Sequence, residues 1–360
     1  MELLRKPRAT SSMPSTMPLQ PARLERARAV IKSWPEYSFS PLRRESAVAA
    51  ALGIDELWLK DETRRLGVGS FKALGGGYAV GELVAGVACS GAPTFATASA
   101  GNHGIGVAWA SRRLGHECHV FLDDAVPECS AERIRAFGGI VHRSSGGYEA
   151  SVEACRIASA TQGWTIVQDV DAAGYTQIPL DIFAGYSVLA SEIAEQLEAC
   201  GARPPTHVLV NAGVGGLASS VCASFWARWK HERPLFFCVE PSAASCLLHS
   251  AREGRLSAVP RSERRTRMVG LDCKVPTSLA WDVLQTGADG FCAVGDEVIH
   301  PCQRLLEELE PSLPAGESAV AGLGALLAAA AQPQLRAELA LDQHSRVALI
   351  ICEGPTEGHT

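Results

Sequence analysis

A chain of 360 residues with 33 Lys+Arg against 39 Asp+Glu has a formal net charge of −6, which excludes the cationic excess that a nucleic-acid backbone demands. A hydrophobic fraction of 47% beside 20% charged residues describes a globular chain, and no apolar run is long enough to span a bilayer. Twelve cysteines without one CxxC pair suit reduced, cytoplasmic thiols rather than a disulfide framework, and His116, Cys118 and His119 sit at strand spacing, so no metal site is expected.

Residues 1–33 read as a partly disordered lead-in. Met1 to Pro21 is rich in Pro, Ser and Met and lacks the apolar stretch of a secretory signal, while Leu24–Ile31 has helical character. A strand is predicted around Leu57–Lys60. The charged run Trp58-Leu59-Lys60-Asp61-Glu62-Thr63 then reads as a strand ending at a functional edge. Gly69-Ser70-Phe71-Lys72-Ala73-Leu74-Gly75-Gly76-Gly77 follows and opens a helix through Leu83. Lys72 is the one lysine between Lys60 and Lys230, and its neighbours are small or apolar. A lysine placed there is expected to be desolvated, which lowers its pKa and makes the amine nucleophilic enough for a Schiff base. An exposed lysine at a helix start is the alternative.

The next stretch alternates. Strands at Thr94–Thr97, Cys118–Leu122, Gly139–His142 and Thr165–Val167 are separated by helical segments, a pitch that predicts a doubly wound, mostly parallel α/β fold. We expect residues 94–184 to form a small mobile domain, and 34–93 with 185–360 to form a large one. In the large part a helix runs toward Cys200, His207–Asn211 is a buried strand, and Leu235–Glu240 is the next one. Ala319–Ala331 reads as a buried helix, and Arg346–Ile351 as the last strand.

Two further loops join strands to helices. Asn211-Ala212-Gly213-Val214-Gly215-Gly216-Leu217 suits a phosphate, because glycines let amides approach an anion and a helix start adds partial positive charge. Glu240 lies 24 residues after Gly216 and imitates the acidic ribose ligand of a dinucleotide-binding unit, so on this unit alone both readings stay open. Ser99-Ala100-Gly101-Asn102-His103-Gly104 offers amides for a carboxylate and a side-chain amide for an oxygen. The three loops together, each at the carboxyl end of a strand, match the needs of a lysine-bound, phosphate-bearing cofactor.

With these segments in view, the chain resembles the fold-type II pyridoxal-phosphate enzymes (tryptophan synthase β-like), and within them the diaminopropionate ammonia-lyases. The resemblance rests on Ser70-Phe71-Lys72-Ala73-Leu74-Gly75-Gly76, Gly101-Asn102-His103-Gly104-Ile105-Gly106, Val167-Gln168-Asp169, Gly185-Tyr186, Ala212-Gly213-Val214-Gly215-Gly216, Val239-Glu240-Pro241, Gly316-Glu317-Ser318 and Glu353-Gly354, in that order. It implies pyridoxal 5'-phosphate held by Lys72, which also acts as base, with Phe71 beside it and Asn102 on the ring oxygen. Gly213, Val214, Gly215, Gly216 and Leu217 would hold the phosphate, and Cys352 would face the ring nitrogen as a neutral thiol. Ser99, Ala100, Gly101, His103 and Asp169 would serve the substrate.

The implied reaction is β-elimination on a β-substituted α-amino acid, 2,3-diaminopropionate foremost, giving pyruvate and ammonia in a homodimeric, cytoplasmic enzyme. A serine/threonine-type dehydratase, a β-replacement synthase and a catalytically idle family member are the alternatives. The family's aspartate before Gly-Asn-His-Gly is Ala100 here, which removes a second base and predicts a preference for L-substrates.

Overall fold

Runs of β-branched and aromatic residues bounded by turns become eleven strands among the residues described in this computed structural model, which are 1–9, 12–86, 92–99, 101–259 and 265–355. They are β1 (Glu2–Arg5), β2 (Leu42–Arg44), β3 (Glu56–Asp61), β4 (Phe95–Ala98), β5 (Cys118–Asp123), β6 (Gly139–Ser144), β7 (Thr165–Ile166), β8 (His207–Asn211), β9 (Leu235–Pro241), β10 (Gly290–Val294) and β11 (Arg346–Ile351). A seven-stranded sheet has the order β1-β10-β9-β8-β11-β3-β2, and a four-stranded sheet the order β6-β5-β4-β7. All pairings inside the larger sheet are parallel; only its edge strands β1 and β2 run antiparallel. The smaller sheet is parallel throughout. Central strands such as β8 and β10 are buried along their whole length, as parallel strands covered on both faces must be.

The lead-in holds the expected helix around Leu24–Ile31 but is otherwise more ordered than its composition suggests. Glu2–Arg5 pairs with Gly290–Ala293 as an edge strand, Met17 and Leu19 are buried, and helix Pro21–Lys32 turns Leu24, Ala27 and Ile31 into the core. A composition rich in Pro and Ser gives no sign of a partner that lies nearly 290 residues further along the chain.

Helix Lys72–Gly86 sits between two others. A Cβ on Gly75 would lie 2.7 Å from the Ile182 carbonyl oxygen, and one on Gly185 would lie 2.6 Å from that of Leu74, so this helix meets Gln177–Ala199 backbone to backbone. On its other side a Cβ on Gly106 would lie 2.9 Å from the Lys72 carbonyl oxygen, which sets helix Asn102–Arg113 equally close. Only glycine permits both approaches. Helix Gln177–Ala199 also runs continuously across residues 184 and 185, where the sequence reading divides the chain.

The charged run after β3 is not an exposed edge. Lys60 Nζ lies 2.6 Å from Glu192 Oε2, and the Arg65 guanidinium lies 2.7 Å from both Glu62 and Glu192, all four side chains being buried. Tyr37 and Ser40 add hydroxyl donors, so each ion is paired and hydrogen-bonded as burial requires. Among the described residues no helix is long and apolar enough to cross a membrane.

Candidate active site

The loop before Lys72 is fastened to the end of β11. Phe71 N–H donates to the Cys352 carbonyl at 3.1 Å, Gly354 N–H donates to the Gly69 carbonyl at 3.0 Å, and Ser70 bridges Glu353 antiparallel. Lys72 therefore opens its helix from a braced position. Its Nζ lies 2.5 Å from Asp169 Oδ2, and 5.4 Å from the ring centroids of both Phe71 and Tyr186.

The Asp169 contact reverses the expected pKa. Burial alone would depress the Lys72 ammonium, but the Asp169 carboxylate and the Tyr186 hydroxyl outweigh it and hold the group well above its ordinary value. Burial likewise works to raise the Asp169 carboxyl, and the charges of His103 and Lys72 pull it well below the usual range. The pair is ionic, not a neutral amine among apolar neighbours. His103 Nδ1 stands 3.8 Å from the same Asp169 oxygen, while His103 Nε2 is bonded to the Val167 carbonyl at 3.0 Å. Burial lowers the His103 pKa, with Asp169 working against that shift and Lys72 adding to it, and its Nδ1 has no hydrogen-bond partner.

Asn102 begins the helix after β4, and its Nδ2 donates to Glu353 Oε2 at 2.6 Å. In the same loop Gly101 N–H donates to Ser99 Oγ at 3.3 Å. Ala100 lies outside the described residues.

The glycine loop follows β8. Gly215 has φ 101°, a left-handed conformation, and a Cβ there would sit 2.8 Å from that of Ala280. A Cβ on Gly216 would meet Phe183 at 2.5 Å, and one on Gly213 would meet Cys273 Sγ at 3.1 Å. These glycines thus answer packing as well as any ligand. Helix Gly216–Trp229 starts without a side-chain cap, and Ser219 N–H donates to the Gly215 carbonyl. Among the described residues the amides of Gly213, Gly215, Gly216 and the buried Leu217 donate to no protein acceptor, while the Val214 carbonyl takes the Thr277 amide. Uncommitted amides at a helix start are what an anionic group occupies.

Cys352 is buried, its thiol pushed well above its ordinary pKa by burial and by Glu353, so it stays neutral. Its Sγ lies 3.5 Å from Asn211 Nδ2. Glu240 is fully engaged elsewhere. Its two oxygens accept the Leu247 and Leu248 amides at 2.7 and 2.8 Å, capping helix Cys246–Glu253, and burial pushes its carboxyl up to about 8. The dinucleotide reading of Glu240 is overturned, because the carboxyl is fully buried and committed to that cap, out of reach of a ribose.

Lys72, Phe71, Asp169 and His103 thus form one contiguous group. Cys352 and Asn102 join it through the Cys352–Glu353 segment, and the Gly213 loop joins it through Cys273, which feels the charges of Asp169 and Lys72. Three residues of the site were missed. Cys273 carries no local sequence signal. Tyr186 and Glu353 stood in recognised motifs, but nothing in them told of a Lys72-facing hydroxyl or a bond to Asn102. Ser70 Oγ and His103 Nδ1 are buried without a hydrogen-bond partner, which marks a place prepared for polar groups the protein does not supply, while the Tyr186 hydroxyl is turned to Lys72. An amine, free phosphate-type amides, a side-chain amide and a neutral thiol fit an aldehyde-bearing aromatic phosphate.

Comparison with known proteins agrees. Residues 34–353 match the family described as "Pyridoxal-phosphate dependent enzyme". The diaminopropionate ammonia-lyase of Escherichia coli (strain K12) is 32% identical over 342 residues, covering 89% of this chain and 85% of that one. The holo crystal structure of the Escherichia coli enzyme superposes with a TM-score of 0.90 at 30% identity, covering 99% of this chain and 94% of that one. The same enzyme in complex with an aminoacrylate-PLP azomethine reaction intermediate gives a TM-score of 0.89, also at 30% identity, with 99% and 94% covered.

Proposed function

The chain belongs to the pyridoxal-phosphate-dependent enzymes, and from that premise we propose that it is a lyase that eliminates the β-amino group of 2,3-diaminopropionate, giving pyruvate and ammonia. The observation that carries this reading is the Lys72–Asp169–His103 group beside uncommitted amides. Pyridoxal 5'-phosphate, when bound, supplies the electron sink for a carbanion at the substrate α-carbon.

The chain's own residues do the rest. Lys72 would hold the cofactor through its aldehyde, and its Nζ, when free, would take the α-proton of the substrate. Asp169, 2.5 Å away, orients Nζ and stabilises it after it has gained that proton. The amides of Gly213, Gly215, Gly216 and Leu217, with Val214 shaping the turn, hold the phosphate. Asn102 donates to the ring oxygen. Cys352 would face the ring nitrogen as a neutral thiol, a partner that does not protonate it. Phe71 packs on the lysine, Ser99 and Gly101 would face the substrate carboxylate, and His103, its Nε2 bonded to the Val167 carbonyl, would act on the substrate only through Nδ1. The β-amine must leave carrying a proton, and Lys72, having taken the α-proton at Nζ, would supply it.

The protein is further read as a homodimer of the cytoplasm, in keeping with eleven described cysteines that are all free, and light scattering tests the dimer. It is also read as L-preferring, since Ala100 has no titratable group to serve the face opposite Lys72. Keto-acid release across L- and D-forms of 2,3-diaminopropionate, serine and threonine tests the whole reading. Pyruvate from L-2,3-diaminopropionate, with the D-form at least about 10²-fold slower for want of a general base, is expected. Turnover of serine or threonine alone would select the dehydratase, which the Ser-Ala-Gly-Asn-His pattern favours. Equal rates on both isomers would refute the role given to Ala100, and Ala100→Asp should raise the D-rate while changing the L-rate little.

A further inference from the structure

We propose that Glu353 is a positioning residue that fixes the orientation of the Asn102 side-chain amide, so that Asn102 presents an N–H rather than its carbonyl to the ring oxygen of the cofactor. The inference deepens the reading above and rests on it.

An asparagine amide has two ends of nearly equal shape and opposite hydrogen-bonding character. Something outside the amide has to decide which end faces a ligand. The one hydrogen bond to the Asn102 side chain among the described residues is Nδ2 to Glu353 Oε2, at 2.6 Å. An ionised carboxylate is an acceptor only, so it attracts Nδ2 and repels Oδ1. Nδ2 carries two hydrogens, and with one engaged by Glu353 the second remains for another acceptor.

Glu353 is itself immobilised. Its carbonyl accepts from Gly316 N–H at 3.1 Å, its backbone bridges Ser70, and the Ser318 hydroxyl and amide face its carboxylate. Glu317 and Cys352 are the titratable groups packed beside it, with Asn102 opposite. Burial raises the Glu353 carboxyl above its ordinary pKa, and the donors from Ser318 and Asn102 work against that rise. The carboxylate therefore reaches from the end of the large sheet to the first residue of a helix of the small one and sets that residue's amide.

The test is a double-mutant cycle on the holoenzyme, read by the pH midpoint of the lysine-bound cofactor's visible absorbance and by the dissociation constant for pyridoxal 5'-phosphate. Glu353→Gln replaces an acceptor-only group by an amide that suits either end of Asn102. We expect it to move the midpoint by about one pH unit, a tenfold change in the titration equilibrium. The same change should have no effect in an Asn102→Ala background. Glu353→Asp, which keeps the charge but withdraws it by one methylene, should show the same dependence on Asn102 and serves if Glu353→Gln does not fold. Equal shifts with and without Asn102, or no shift in either, would overturn the proposal. A wild-type protein that fails to bind pyridoxal 5'-phosphate would instead overturn the functional reading.

Discussion

Asp169 holds the Lys72 ammonium at 2.5 Å although 97 residues separate the two in the chain. The carboxylate follows β7 of the four-stranded sheet, and the lysine opens a helix whose preceding loop is fastened to the end of β11 in the seven-stranded one. Their contact is therefore the point where the chemistry of one sheet is set by the other.

Lys72→Ala should abolish both the visible band of the bound cofactor and turnover, with the circular dichroism spectrum unchanged. Lys60, the nearest lysine in sequence, is buried against Glu192 and cannot substitute. Turnover surviving in a folded variant would end the lysine mechanism.

In the cofactor-free protein the Lys72–Asp169 pair makes stability depend on pH with a defined sign. The Asp169 pKa is depressed in the fold, so its contribution is present above the ordinary value of 3.8 and is lost as pH falls below it. The Lys72 pKa is raised, so its contribution is present below the ordinary value of 10.5 and is lost only at higher pH. Asp169→Asn should lower stability by about 2 kcal/mol at neutral pH, less than for a fully buried pair because both side chains keep some contact with water. The difference from wild type should shrink in thermal unfolding as pH drops below 4. A difference that stays constant down to pH 3 would contradict the ion pair.

The phosphate-type amides should bind an anion without the rest of the cofactor. Inorganic phosphate is expected to raise the melting temperature of the cofactor-free protein and to compete with pyridoxal 5'-phosphate. Gly215→Ala should remove that effect, because its φ of 101° disfavours any side chain and the new Cβ would press on Ala280. Ala280→Gly in the same chain should recover part of the stability by removing the atom that is struck. No recovery would mean that backbone strain alone is responsible.

Glu192 neutralises both Lys60 and Arg65 out of reach of water. Glu192→Gln should destabilise the protein by roughly 3–5 kcal/mol, whereas Tyr37→Phe, which removes one hydrogen bond to Glu192, should lose about 1 kcal/mol. Chemical denaturation of both variants checks the order. Equal losses would show that the cluster does not act as a network of charges.

Lys72, Asn102 and the Gly213 loop were legible in sequence because their signatures are local: each lies where a strand gives way to a helix, and glycines record the sharp turn. The sign of the Lys72 pKa was not legible, since it depends on how the two sheets dock Asp169 against it. Glu240 misled for the opposite reason. Its spacing from Gly216 suggested a ribose, while its real task, capping a helix seven residues on, is written in backbone amides that carry no sequence mark. The first strand was hidden because edge pairing needs only a few residues and a distant partner.

The contact of Gly106 with the Lys72 carbonyl also has a mechanical meaning. Helices Lys72–Gly86 and Asn102–Arg113 meet there backbone to backbone, and a Cβ on Gly76 would lie 3.0 Å from the Gly106 backbone, so the seam runs along a full turn. A larger residue anywhere on it would wedge the reactive amine away from the helix that Asn102 begins.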